Sequence, residues 1–250
     1  MADPRFSIVV ATRNRPAALA MSLPLLLQQT RLPDEIVIVD GGSSDQTVTI
    51  AQSFGATVMI EENRPNFHIN KQHAIDACHG DWILQLDADE RVSSALSTEI
   101  SKIVSGELKN PSSAYYLKRR NYFLGRWMNK GGMYPDPVIR LFQKGKASLP
   151  QASVHELMTV TGTTGWLEQD LLHIADPSFT RYLLRSNRYT TLQADDWLKE
   201  NKLGIDTLTI IRYMILKPFW QFILIYFRHK GFQDGYPGFV FAWYSGLHIA

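Results

Sequence analysis

Four short apolar runs, separated by stretches of helix length, constrain this chain more than any other feature. Phe6-Ser7-Ile8-Val9-Val10-Ala11, Glu35-Ile36-Val37-Ile38-Val39, Thr57-Val58-Met59-Ile60 and Trp82-Ile83-Leu84-Gln85-Leu86 each read as a strand. Strands apolar throughout, rather than alternating, need cover on both faces. The intervening stretches supply it: Pro16 to Gln29 with leucines on one side, about Asp45 to Phe54 behind the N-cap candidates Ser43 and Ser44, and about Ile69 to Cys78. The expectation is an α/β architecture with a mostly parallel central sheet flanked by helices. Ligands bind such sheets beyond the carboxyl ends of the strands. Two of these runs stop at carboxylates, Asp40 and Asp87.

Past about Ala114 the pattern changes. Ala114 to Leu117 and Val138 to Phe142 read as strands, divided by a loop containing Gly131, Gly132, Tyr134 and Pro135. From about Pro177 the chain reads as helical. Apolar residues make up 45% of the 250, enough for a sizeable core. A formal net charge of +2 gives no support to a nucleic-acid partner, which needs a concentrated basic stripe. The single cysteine, Cys78, excludes an internal disulfide and a thiolate zinc cluster. Only six apolar-leaning residues follow Met1 to Arg5, so the N-terminus does not read as a signal peptide, and a cytoplasmic location is expected.

Asp87-Ala88-Asp89-Glu90 follows its strand directly. If that segment stays extended, Asp87 and Asp89 point the same way and can converge on one site. A hard divalent cation is commonly held by one or two carboxylates, with substrate phosphates and water completing its shell. The plain alternative is a solvated acidic turn or a helix N-terminus, places that Asp and Glu favour. Asp40, followed by Gly41 and Gly42, can accept a hydrogen bond from a uracil N–H, or can be a simple Asp-Gly turn. Lys71 can bring an ammonium to a phosphate, or can be a solvated lysine.

The ordered set Ser7-Ile8-Val9-Val10-Ala11-Thr12-Arg13-Asn14, Ile38-Val39-Asp40-Gly41-Gly42-Ser43-Ser44-Asp45 and Gly80-Asp81-Trp82-Ile83-Leu84-Gln85-Leu86-Asp87-Ala88-Asp89-Glu90 resembles family 2 glycosyltransferases of the GT-A nucleotide-diphospho-sugar transferase fold. Within that family it is most similar to the lipopolysaccharide-core β-1,4-glucosyltransferase-like subgroup. The likeness continues through Tyr134-Pro135-Asp136, Arg140-Leu141-Phe142, Val154-His155-Glu156, Gly231-Phe232 and Asp234-Gly235. The resemblance implies that Thr12, with Arg13 and Asn14, and Asp40 contact the nucleobase or ribose, and that Lys71 touches the diphosphate. It implies that Asp87 meets the ribose or the metal, and that Asp89 ligates Mg2+ or Mn2+. Gly41 departs from the usual acidic or serine second place of its turn, and Asn70-Lys71-Gln72 from the subgroup's Gln-Lys-Asn. The catalytic domain is expected over 1–175, its nucleotide-binding part to about 110 and its acceptor part from about 111, with a helical segment over 176–250.

Transfer in this family usually inverts the anomeric centre, with a base removing the acceptor's proton. Glu156 in Val154-His155-Glu156 is the first candidate, and Asp136, in the loop after Tyr134-Pro135, the second. His155 is a further candidate for the metal, and Arg140 for a phosphate. Trp127, Tyr134 and Trp166 can offer ring faces to a sugar, or can fill a core. Between Ile205 and Phe227, basic residues interleave with aromatics, which suits a helix in the inner-membrane interface and also a packing or homodimer contact. The expected activity moves a hexose, glucose from UDP-glucose, onto a lipopolysaccharide-core or other glycolipid or saccharide acceptor. A nucleotidyltransferase would need a glycine-rich loop after the first strand, and Ala11 to Arg15 contains no glycine. A non-catalytic glycan-binding or membrane-scaffold relative is the remaining alternative.

Overall fold

The computed structural model describes residues 3–64, 66–108, 110–150, 157–176, 178–199 and 206–249. The expected alternation is present: β1 (Phe6–Thr12), α1 (Pro16–Leu26), β2 (Glu35–Asp40), α2 (Thr47–Ser53), β3 (Thr57–Ile60), α3 (Phe67–Ala77) and β4 (Trp82–Asp87). β5 (Glu90–Val92), α4 (Ser94–Val104), β6 (Ala114–Phe123), β7 (Arg126–Trp127), β8 (Asp136–Gln143), β9 (Ala147–Ser148), β10 (Thr159–Val160) and β11 (Thr164–Asp176) follow. The main sheet runs β3-β2-β1-β4-β8-β6-β11-β5, with β7 on β6. Its first four strands pair in parallel, and β8 joins β4 antiparallel.

Period-two alternation explains why these strands are apolar on both faces. Ile8, Val10, Ile38, Leu84 and Leu86 pack with Leu19 and Leu23 of α1 and with Leu96 and Ile100 of α4. Val9, Val37, Val39 and Ile83 point the other way, to Ala74, Ile75 and Cys78 of α3 and its end. Ser93 starts α4 by accepting from the Leu96 N–H at 3.2 Å, as an N-cap serine does. The caps expected at Ser43 and Ser44 are not formed. Ser43 turns back onto Asp40 instead, and Asp45 accepts from the Thr47 N–H at 2.9 Å at the start of α2.

By contact density the chain divides into two units, one of residues 1–119 and 137–172 and one of 120–136 and 173–250. This division cuts across the expected boundary at 175, because 120–136 groups with the C-terminal helices. The second unit centres on Phe123, Met128, Tyr182 and Val240, with Phe179, Phe241 and Tyr244 packed around them. It contains α5 (Phe179–Lys199), a long helix over Thr207–Arg228 and a last helix over Gly235–Leu247. Asp234, 1% exposed, precedes the last helix and accepts from the Asn129 and Lys130 N–H groups, the latter at 2.7 Å.

Candidate active site

Strand register assembles the site. Thr12 lies opposite Asp40 and Ala11 opposite Asp87, so the carboxyl ends of β2, β1 and β4 bring Asp40, Thr12 and Asp87 to one edge of the sheet. Gly80 permits that register before β4 begins. A Cβ there would lie 2.7 Å from the Ser7 amide nitrogen and collide with the Ser7 hydroxyl, which accepts from the Gly80 N–H at 2.8 Å.

Asp87 sits between two cations. Lys71 Nζ of α3 is 2.5 Å from Oδ1, and Arg140 Nη2 of β8 is 2.7 Å from Oδ2. Arg140 is buried, and it also binds Glu90 at 2.7 Å and the Gln85 side-chain carbonyl. Glu90 is buried too, holds the Asp87 N–H at 3.0 Å and takes a second cation, Arg119, at 3.5 Å. Burial alone would raise the Asp87 pKa, but Lys71 and Arg140 outweigh it and hold the carboxyl well below the usual carboxylate range. Burial would likewise lower the Arg140 pKa, and Glu90 and Asp87 reverse that, keeping the guanidinium charged.

The segment after Asp87 is not extended. Ala88 and Asp89 form a tight turn into β5, closed by the Glu90 carboxylate on the Asp87 N–H. The expectation that Asp87 and Asp89 align as alternate residues of a strand is therefore corrected. Asp89 pairs instead with Arg15, at 3.6 Å. Among the described residues no group of three or more His, Cys, Asp or Glu side chains converges as a metal shell. Both Asp87 oxygens are engaged by cations. A shell of one or two carboxylates completed by phosphate oxygens is the kind that Mg2+ and Mn2+ accept.

The other expected residues lie in several places. Asp40 is fully buried and accepts from the Ser43 N–H at 2.7 Å and from its hydroxyl at 2.5 Å, while the buried Thr12 hydroxyl has no protein partner. Asn14, at a φ of 49°, binds Ser43 and Ser44 and ties the end of β1 to that turn, with Arg13 exposed beside it. Asp136 belongs to the second unit and is the first residue of β8, not a loop residue. There it accepts from Asn121 Nδ2 at 3.1 Å, and His173 Nδ1 bonds Asn121 Oδ1 at 2.5 Å. His155 and Glu156 lie outside the described residues. Of the three aromatics, Trp166 stacks on Tyr116 at 4.9 Å, Trp127 meets Tyr122 edge-on, and Tyr134 lies under Arg120.

Gln85, Glu90, Arg119 and Arg15 complete the constellation and were not assigned roles from the sequence. Gln85 carried a signal, as the one polar residue inside an apolar strand. The two arginines carried none, because nothing local says which carboxylate they will meet.

The sequence profile of glycosyl transferase family 2 matches residues 7–218. A lipopolysaccharide core biosynthesis glycosyltransferase of Rhizobium meliloti is 29% identical over 217 residues, covering 83% of this chain and 77% of the relative. An uncharacterized glycosyltransferase of Rickettsia typhi is 27% identical over 259 residues, covering 98% and 86%. Among solved structures, a mannosyltransferase of Pyrobaculum calidifontis in complex with GDP-Man and Mn2+ aligns at a TM-score of 0.54 and 13% identity, over 99% of this chain and 74% of that one. S. aureus TarS 1–349 in complex with UDP-GlcNAc aligns at 0.53 and 14% identity, over 98% and 81%. With these strand ends, this sheet order and a profile match over most of its length, the chain belongs to glycosyl transferase family 2 and has the GT-A fold.

Proposed function

We propose that this enzyme transfers a hexose, glucose from UDP-glucose, with inversion onto a lipopolysaccharide-core or related lipid-borne saccharide, with the help of Mg2+ or Mn2+. The observation that carries this reading is the meeting of Thr12, Asp40 and Asp87 at adjoining strand ends, with the Lys71 ammonium on Asp87. Asp40 and Thr12 suit the uridine, the Thr12 hydroxyl having hydrogen-bonding capacity to give. Lys71 suits the diphosphate. Arg140 positions Asp87 and Glu90 rather than reaching the donor, since its guanidinium is buried among Gln85, Asp87 and Glu90. Asp89 would hold the cation, with Asp87 and His155 as further candidates, and the bound cation would neutralise the leaving diphosphate.

In the transfer the acceptor oxygen bonds to the anomeric carbon as that carbon's bond to the diphosphate breaks, and the hydroxyl proton passes to a carboxylate. Glu156 is the first candidate for that base and Asp136 the second. The Rhizobium relative supports a lipopolysaccharide-core acceptor, and such an acceptor fits a location on the cytoplasmic face of the inner membrane.

The test is calorimetric. Asp89→Ala is expected to keep the fold, by circular dichroism, and to lose the Mn2+-dependent part of UDP affinity. Equal UDP affinity for both proteins in Mn2+ would overturn the ligand role. Glu156→Gln is expected to bind UDP-glucose normally and to slow transfer by about 10^2–10^4-fold. A near-normal rate would move the base to Asp136.

A further inference from the structure

The long helix over Thr207–Arg228 has 22 residues and is apolar enough to cross a membrane, yet only Pro218 and Ile225 in it are buried. Ile215, Leu216, Phe219 and Phe227 are all more than half exposed, and Trp220 is 66% exposed. A helix packed as part of a soluble core would hide such a face.

The last helix is built to lie against it. Gly238, Ala242 and Gly246 recur every fourth residue, and all three are buried. A Cβ on Gly246 would lie 2.6 Å from the Pro218 carbonyl oxygen, and one on Gly238 would collide with that of Gly231. Small residues at this spacing let two backbones approach closely. Two large residues of this helix are turned outward: Phe239 and Trp243 are exposed and ring-pack with Phe222, at 5.9 Å in both cases. The two helices thus form a hairpin with a tight inner seam and an aromatic outer face.

The hairpin is mostly cationic where solvent can reach it, the exposed Asp206 that caps the long helix being the one acid at its start. From Thr207 to the end of the sequence there are four Lys and Arg residues, Arg212, Lys217, Arg228 and Lys230, and one acid, Asp234. That acid is buried and held by the Asn129 and Lys130 amides. An apolar, aromatic face on a segment that carries four cations against one exposed acid complements an anionic lipid surface.

We infer that this hairpin is a monotopic anchor, lying in the interface of a bilayer that contains anionic lipid. Two observations favour lying in the interface over spanning. Arg212 and Lys217 fall within the long helix, where a spanning segment would carry them into the hydrocarbon. The last helix, at 13 residues, is about 20 Å long against a hydrocarbon core of about 30 Å. The lysine and arginine stems can instead extend along the apolar face and leave their charges at the headgroups.

The full chain is tested by co-sedimentation with phosphatidylglycerol–phosphatidylethanolamine vesicles and with phosphatidylcholine vesicles, beside sedimentation velocity without lipid. The unaltered protein is expected to sediment with the anionic vesicles, less so as salt rises, and weakly with phosphatidylcholine. Phe219→Ser with Trp220→Ser and Trp243→Ser should reduce that partitioning by about tenfold or more, with UDP binding kept as the control for folding. Arg212→Gln with Lys217→Gln should remove the preference for anionic lipid. Vesicle binding unchanged by both sets would overturn the anchor. So would a lipid-indifferent dimer that the serine variants dissociate, which would assign the face to a second copy. UDP binding is read separately, so a failure of the donor site leaves this result interpretable.

Discussion

At the end of β4 one carboxylate lies between two cations, and the energetics of the site follow from that. Lys71 and Arg140 overcome the burial of Asp87 and hold its pKa down, so the folded protein keeps the anion at pH values where the unfolded chain binds a proton. A carboxylate depressed in this way stabilises the fold fully above its unfolded pKa of about 4, and the contribution declines as pH falls below that value, by up to about 1.4 kcal/mol per unit. Urea melts of the unaltered protein and of Asp87→Asn should therefore differ by a constant amount above about pH 5, and the gap should narrow progressively as pH falls below about 4. A pH-independent gap would mean that the two cations do not hold Asp87 as an anion. The residue types at this site were legible in Asp87-Ala88-Asp89-Glu90 and Lys71. The pairing was not, because Arg140 reaches Asp87 from 53 positions away and Arg119 reaches Glu90 from another strand.

At the scale of elements, the alternation of strand and helix was readable because burial on both faces leaves a continuous apolar run, and a helix leaves a different period. Boundaries moved by a few residues where side chains took other partners. Ser43 bonds Asp40 rather than capping α2, and the β4–β5 connection closes as a turn around the Glu90 carboxylate. The parallel pairing of β1 with β4 depends on Gly80, whose missing Cβ leaves room for Ser7. Gly80→Ala should cost about 1–3 kcal/mol in urea denaturation, as overpacking against a backbone does. Cys78→Ala nearby removes atoms rather than adding them, and provides the comparison. A neutral Gly80→Ala would show that the β1–β4 register tolerates a wider entry.

For the molecule as a whole, Cys78 is a built-in reporter of global unfolding. It lies in the core behind the sheet, fully buried, with its thiol donating to the Ala74 carbonyl, and burial pushes its pKa up to about 12. The thiolate is then scarcer than in an exposed cysteine by about three orders of magnitude. Reaction with a thiol reagent near neutral pH should be at least about a thousandfold slower in the folded protein than in denaturant, and its rate should follow unfolding as temperature rises. Rapid modification without unfolding would show a local opening at the end of α3. The sequence by itself determined the parallel α/β half, the carboxylates at its strand ends and the family, because apolar period and short motifs are local and survive any packing. Only the tertiary structure decided which cations meet Asp87 and Glu90, that Asp89 pairs with Arg15, and that 120–136 groups with the C-terminal helices. Those outcomes depend on contacts between distant segments, and the energy of a charge pair is defined only once both partners have been buried together.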